Sequence, residues 1–328
     1  MTPSVESLTG RYDSLYLSPH SDDFALSCAA RLASEITRGS SILLVTLFGG
    51  SSGAGTAERD DALARALAAT GARHLAAGFP EAAGRHRYYS SFRARSFGRH
   101  PDDDEWVSQA ARLLTRITDR VRPREVYVPL AVGGHIDHRL AHEAALLAVE
   151  SREGRNVFLY EDRPETFVPG AVRIRLAQVG AHLPPGAAGA VDEASLARFL
   201  MHFHLPPSFR GDLRGLVERV RSSVPAARSW RETRGWRPGK GLGLRVQPVI
   251  HHPEPTDRER LREIRESVAP ARGTRPAAAA DRLKRLVATY TRKIGGDDAE
   301  RYWLLLPHRD PEGRVAVTPA PLDDGVPR

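Results

Sequence analysis

Along the first half of the chain, short apolar runs alternate with longer stretches whose apolar residues recur at helical spacing. The short runs, residues 14–18, 41–48, 74–79, 125–130 and 157–160, predict strands. Residues 41–48 are apolar almost throughout, as in a strand covered on both faces. The stretches 22–38, 56–70, 105–121 and 137–150 predict the helices between them. In 105–121, Val107, Ala110, Leu113, Leu114 and Ile117 fall on one helical face. Gly39 and Gly71 mark helix ends. Asp22 or Ser21 is the expected N-cap of the first helix. This alternation predicts an α/β fold: a Rossmann-like, mostly parallel sheet with helices on both faces.

The second half is less regular. Residues 164–189 are rich in Pro, Gly and Ala and read as loop, with one strand near 172–179. Residues 192–203, 210–222, 253–266 and 281–293 read as helices, and 228–243 as a Trp-, Arg- and Gly-rich loop. The expected organisation is a Rossmann-like core over 1–165. A C-terminal part over 166–328, of extra helices and loops, packs on it, with an insertion at 206–280 and a frayed tail over 318–328.

Composition narrows the function classes. With 41% hydrophobic and 27% charged residues, the chain has an ordinary globular balance, which excludes wholesale disorder. No apolar run is long enough to span a membrane as a helix. The polar start lacks a secretory pattern, and a single cysteine, Cys28, suits a reducing compartment, so a cytoplasmic protein is expected. Cys28 lies among Ala25, Leu26, Ala29 and Ala30 and reads as a packed core residue. The net charge of +8 is carried mainly by arginine, since lysine occurs at positions 240, 284 and 293 alone. The arginines are spread out and interleaved with acids, so a solvated surface is expected rather than a nucleic-acid partner.

Two clusters carry the chemistry. Ser18-Pro19-His20-Ser21-Asp22-Asp23 follows the first strand run, and His135-Ile136-Asp137-His138 follows the run at 125–130. Open α/β sheets place their ligands just past strand carboxyl ends. His20 and Asp23, three apart at a helix start, share a face. With His138 they supply two nitrogens and one oxygen for a divalent ion, leaving a position for water. Such an ion acidifies its water and polarises a carbonyl. Asp22 is then available to take the proton, and His135 to stabilise an oxyanion or to protonate a leaving amine. Each cluster also has a plainer reading: helix capping for Asp-Asp, a solvated helix face for His138. Their joint placement at two strand ends favours the site.

These paired motifs resemble the PIG-L/LmbE-like family of zinc-dependent N-deacetylases. The similarity covers residues 15–164, including Tyr160-Glu161-Asp162-Arg163-Pro164. The resemblance implies zinc, or another divalent ion, held by His20, Asp23 and His138, with Asp22 as general base and His135 as the electrostatic or acid residue. Arg59 resembles a substrate-contacting arginine of some members. The implied substrate is a small N-acylated molecule, an N-acetylated sugar or a glycosylated natural product, as in secondary metabolism. The chain departs from the family in Ser21 and in the second half; 281–290 and Glu300-Arg301-Tyr302-Trp303 are again similar.

Other residues carry weaker signals. His100-Pro101-Asp102-Asp103 contains a literal His-Pro-Asp-Asp string, but it follows a polar loop and precedes a helix, which fits capping better. His202, His204, His251 and His252 read as core or surface histidines. His142, one turn past His138, supports either a role behind the metal or a buried, satisfied imidazole. The glycine-rich run from Gly49 lacks the Lys-Ser/Thr ending of a phosphate loop. Tyr88, Tyr89 and Phe92, with Arg85 and Arg87, either line a sugar site or anchor an exposed loop. Two rivals to deacetylation remain: an amidase or C–N hydrolase on a non-sugar metabolite, and a non-catalytic basic binding protein on the same fold. The oligomeric state is not legible.

Overall fold

The computed structural model describes residues 5–49, 71–149, 155–168, 170–181, 244–268, 277–296 and 298–306. Its strands are β1 (Ser14–Ser18), β2 (Ile42–Phe48), β3 (Arg73–Phe79), β4 (Glu125–Pro129), β5 (Asn156–Tyr160), β6 (Arg245–His251) and β7 (Glu300–Leu306). They form one sheet in the order β3-β2-β1-β4-β5-β7-β6. β1 to β5 run parallel, while β7 is antiparallel to both β5 and β6. The helices are α1 (Asp23–Ser27), α2 (Ala29–Thr37), α3 (Ala82–Arg85), α4 (Phe92–Phe97), α5 (Asp103–Val121), α6 (Ile136–Val149), α7 (Ala171–Gln178), α8 (Arg258–Val268) and α9 (Ala277–Ile294). The expected α/β architecture is present. No described helix is long and apolar enough to cross a membrane.

The central strands are apolar throughout because both faces of the sheet are covered. Leu15, Leu17, Leu43, Val45, Val126 and Val128 join one core with Ile117 of α5 and Leu140 and Ala144 of α6. The alternate positions Tyr16, Ile42, Leu44 and Tyr127 join a second core with Phe24, Leu32, Leu261 and Ile264. The period of two thus divides each strand between two layers. Each fully buried leucine contributes roughly 1.5–3 kcal/mol. Tyr16 and Tyr127 stack on adjacent strands, ring centroids 4.4 Å apart.

Several expectations are corrected. The first helix is two helices, broken at Cys28, and Asp22 takes the N-cap position without a side-chain capping bond. Cys28 is a buried core residue, as expected. The strand expected near 172–179 is α7. Val172, Ile174 and Leu176 are buried, and so is Arg175, whose Nε donates to the Leu130 carbonyl at 2.8 Å. The Val-Arg-Ile-Arg-Leu alternation imitated a strand because one of its polar positions points inward. β6 was not anticipated: Pro248 argues against a central strand, and β6 is the edge strand of the sheet, where proline is tolerated. The expected helix at 56–70 with Arg59, the loop 50–55, residues 192–243 with His202 and His204, and the tail 318–328 lie outside the described residues. Of the stretch 206–280, residues 244–268 and 277–280 are described and supply β6, α8 and the start of α9.

Candidate active site

β1 pairs with β2 on one side and β4 on the other, so the chain leaves β1 and β4 in opposite directions. A crevice opens at the carboxyl ends of such a pair. Both His/Asp clusters project into it. Between β4 and α6 the backbone turns back through positive-φ residues, Ala131 (φ 64°), Gly133 (φ 91°) and Gly134 (φ 73°). At Gly134 a Cβ would also stand 3.0 Å from the Ser96 carbonyl, so the approach of α4 requires glycine there.

The loop after β1 is tied down locally. The Ser18 hydroxyl donates to the His20 carbonyl and accepts the Phe24 N–H at 3.3 Å. Asp23 Oδ2 accepts the His20 backbone N–H at 2.9 Å. The same oxygen is 3.2 Å from His20 Nδ1 and 3.3 Å from His138 Nε2. The three expected metal ligands therefore converge, one carboxylate oxygen lying between two imidazole nitrogens. The opposite nitrogen of each ring is anchored on a second carboxylate. His20 Nε2 is 3.0 Å from Asp137 Oδ2, and His138 Nδ1 is 2.7 Å from Asp162 Oδ1. Asp162 is held in turn by the Val132 N–H at 2.8 Å. Carboxylates behind metal-binding histidines fix the tautomer, leaving the inner nitrogens unprotonated for an ion.

The electrostatics favour positive charge at this point. Burial works against ionisation of Asp23, but the imidazoles of His138 and His20 prevail and bring its carboxyl down to about 2. Burial likewise opposes charge on His138, yet Asp23 and Asp162 raise it to about 9. His20 is also burdened by burial and still raised well above the ordinary value by Asp137 and Asp23. A second trio of donors, His20, His135 and Asp137, shares His20.

The cleft has a volume of about 330 Å³. Asp22 and His135 line it beside His20, with Phe48, Glu81 and Arg95 on its walls. His135 accepts the Asp137 N–H on Nδ1 at 3.3 Å, which puts the ring proton of its neutral form on Nε2. Burial pushes its pKa down to about 3, so the ring is neutral near pH 7. Enclosure by the protein thus favours a neutral ring that donates from Nε2.

The remaining candidates resolve into structural roles. Asp103 of the His-Pro-Asp-Asp string accepts the His100 N–H at 2.9 Å and the Tyr89 hydroxyl, closing the start of α5 away from the metal donors. His142 is buried with Nδ1 2.8 Å from the Pro129 carbonyl, and burial pushes it down to about 3. His251 Nε2 lies 3.0 Å from the Ser34 hydroxyl. Tyr89 and Arg85 are buried, while Tyr88 is exposed. Asp162 and Asp137 stood within the quoted motifs without an assigned role, and Arg85, a candidate for a sugar site, instead stands behind Asp137. For Asp162 the signal was its place just past β5; for Arg85 no local signal exists.

The span from β1 to the end of α6 holds both clusters. It is also the span, residues 15–149, that matches the PIG-L family model, described as GlcNAc-PI de-N-acetylase. No curated protein matches this chain. Among solved structures, the chain is similar to a deacetylase–bog complex from the teicoplanin biosynthesis pathway. The identity is 19% and the TM-score 0.57, with 90% of this chain and 99% of that one covered. The zinc-inhibited form of teicoplanin deacetylase Orf2 is similar at 19% identity and TM-score 0.56, with 90% and 99% covered. The A40926 pseudoaglycone deacetylase Dbv21 is similar at 18% identity and TM-score 0.53, with 90% and 98% covered. At these identities the likeness is one of fold. It places the described sheet and helices in an architecture shared with all three.

Proposed function

We propose that this protein is a metal-dependent N-deacetylase that hydrolyses the acetamide of an N-acetylated sugar or glycosylated natural product. The observation that carries the reading is the Asp23 oxygen standing between His20 Nδ1 and His138 Nε2, with Asp22 and His135 on the adjoining cleft wall. The PIG-L match, described as GlcNAc-PI de-N-acetylase, supports the substrate class, as do the deacetylase titles of the similar structures.

The donor set fits a divalent ion. Two imidazoles and one carboxylate suit zinc and its neighbours alike, and zinc is the ion proposed. His20, Asp23 and His138 would hold it. The second trio is the poorer holder, because Asp137 already accepts from Arg85 at 2.6 Å and from the Ala82 N–H at 3.2 Å. Bound at the first trio, the ion would polarise the amide carbonyl and lower the pKa of a water. Asp22 takes the proton as that water's oxygen adds to the acyl carbon. His135 donates its Nε2–H to the oxygen of the former carbonyl as charge develops there. The carbon–nitrogen bond then breaks, and the proton held by Asp22 passes to the leaving nitrogen. Acetate and a free amine result. Arg59 is proposed as a further substrate contact, and residues 166–328 as a C-terminal part packing on the core.

The test is a panel of N-acetylated sugars, glycosylated natural products and non-sugar N-acyl compounds, incubated with zinc-loaded protein and assayed for acetate and free amine. Release from sugar-bearing substrates is expected. Release confined to non-sugar amides would transfer the reading to an amidase. No release, with strongly salt-dependent nucleic-acid binding, would favour the non-catalytic alternative.

A further inference from the structure

We propose that Arg85 is a positioning residue for the metal site: through Asp137 it sets the orientation and tautomer of His20. The inference rests on the metal-site reading above and concerns residues for which that reading has no use.

Arg85 closes the single turn of α3, between Gly84 and the exposed His86. Its side chain is nevertheless only 1% exposed. Nη1 lies 2.6 Å from Asp137 Oδ1 and 3.0 Å from the Pro80 carbonyl. The guanidinium carbon stands 4.9 Å from the Phe48 ring centroid and 5.8 Å from that of Tyr89. Behind it, Nε is 3.8 Å from Asp103 Oδ1. The Asp103 carboxylate is itself held by the Tyr89 hydroxyl and the His100 N–H. The His-Pro-Asp-Asp string thus ends in a carboxylate that backs a buried arginine.

Burying a guanidinium is costly unless the charge is paired and well placed. Here it fixes one carboxylate. Asp137 Oδ1 is taken by Arg85, while Oδ2 faces the Ala82 N–H at 3.2 Å and His20 Nε2 at 3.0 Å. So α3 holds Asp137 by a backbone donor and a cation together. Unable to turn, Asp137 keeps the ring proton of His20 on Nε2. Nδ1 is then left facing Asp23 and the ion. The two imidazole anchors differ in this respect. Asp162, behind His138, takes its second bond from the backbone N–H of Val132, which side-chain truncation leaves in place. Asp137, behind His20, also has a backbone donor in Ala82, but its Oδ1 is held by the Arg85 side chain.

The test measures zinc affinity by competition with a chelator, a readout that needs no substrate. Arg85→Gln is expected to raise the zinc Kd about 10–100-fold, the usual range for partners behind a ligand. Arg85→Lys keeps the charge and is expected to recover most of the affinity, short of wild type because the planar fork is lost. Arg31→Gln is the control. Arg31 is an ion-paired arginine bound to Glu125 at 2.8 Å, at the first residue of β4 and so at the far end of that strand. It is expected to leave the Kd unchanged. An unchanged Kd in folded Arg85→Gln overturns the proposal, as does an equal rise in Arg31→Gln. If circular dichroism shows Arg85→Gln unfolded, Asp137→Asn decides by the same competition, and wild-type zinc affinity in that variant overturns the proposal. Arg85-dependent zinc binding without acetate release upholds this inference while the deacetylase reading fails. Wild-type protein that binds no divalent ion overturns both.

Discussion

Two stretches of this chain bring a histidine and paired aspartates into four residues: His20 to Asp23 and His100 to Asp103. Locally they are the same object. In each, the backbone N–H of the histidine donates to the carboxylate three residues on, at 2.9 Å in both cases. Their surroundings separate them. Asp23 lies at the switch point of the sheet and meets His138 at 3.3 Å from another element. Asp103 lies at the start of α5 and meets a tyrosine hydroxyl and an arginine. A capped turn is thus a way of holding a carboxylate still, and what stands opposite decides its use.

Substitutions can break this comparison or sharpen it. The largest effect is expected from His138→Ala, which removes the partner that the second stretch lacks. Elemental analysis should show zinc falling from near one equivalent to a trace, and full retention would sink the assigned ligand set. Next is Asp22→Asn. Loss of a positioned base costs about 10²–10⁴ in kcat, with bound metal unchanged. Asp102 is the same position in the other stretch; Asp102→Asn should leave kcat as it is, and parallel losses in both variants would show that the two turns do not differ in kind. Asp162→Asn removes the anchor of His138 and should weaken zinc binding about 10–100-fold, measured by chelator competition. The smallest effect on the site is expected from Asp103→Asn, whose main cost is to stability. Leaving a buried hydrogen-bonding group unsatisfied costs about 1–3 kcal/mol, which urea unfolding can measure. A loss of all bound zinc in that variant would contradict the division drawn between the two stretches.

The same contrast explains what was legible in advance. Strand runs at β1, β2, β4 and β5 could be read because both faces of those strands are covered, so apolarity is nearly continuous. The two clusters could be read because sequence spacing and the strand ends beside them are local facts. The neutral state of His135 could not, since it follows from enclosure by the cleft walls. Nor could Arg175 and Arg85, which look like surface arginines and are buried because carbonyl and carboxylate partners await them.

By itself the amino-acid sequence determined the alternation of strand and helix and the pair of clusters that resemble a metal centre. Those are consequences of backbone geometry and residue spacing over a few turns. Only the tertiary structure decided that Asp23 meets His138, that Asp137 and Asp162 stand behind the two imidazoles, and that β6 and β7 close the described sheet on its far side. Contacts across more than a hundred residues, such as those of His20 with Asp137 and His138, arise from how the strands are ordered in the sheet. No short stretch of chain contains that order.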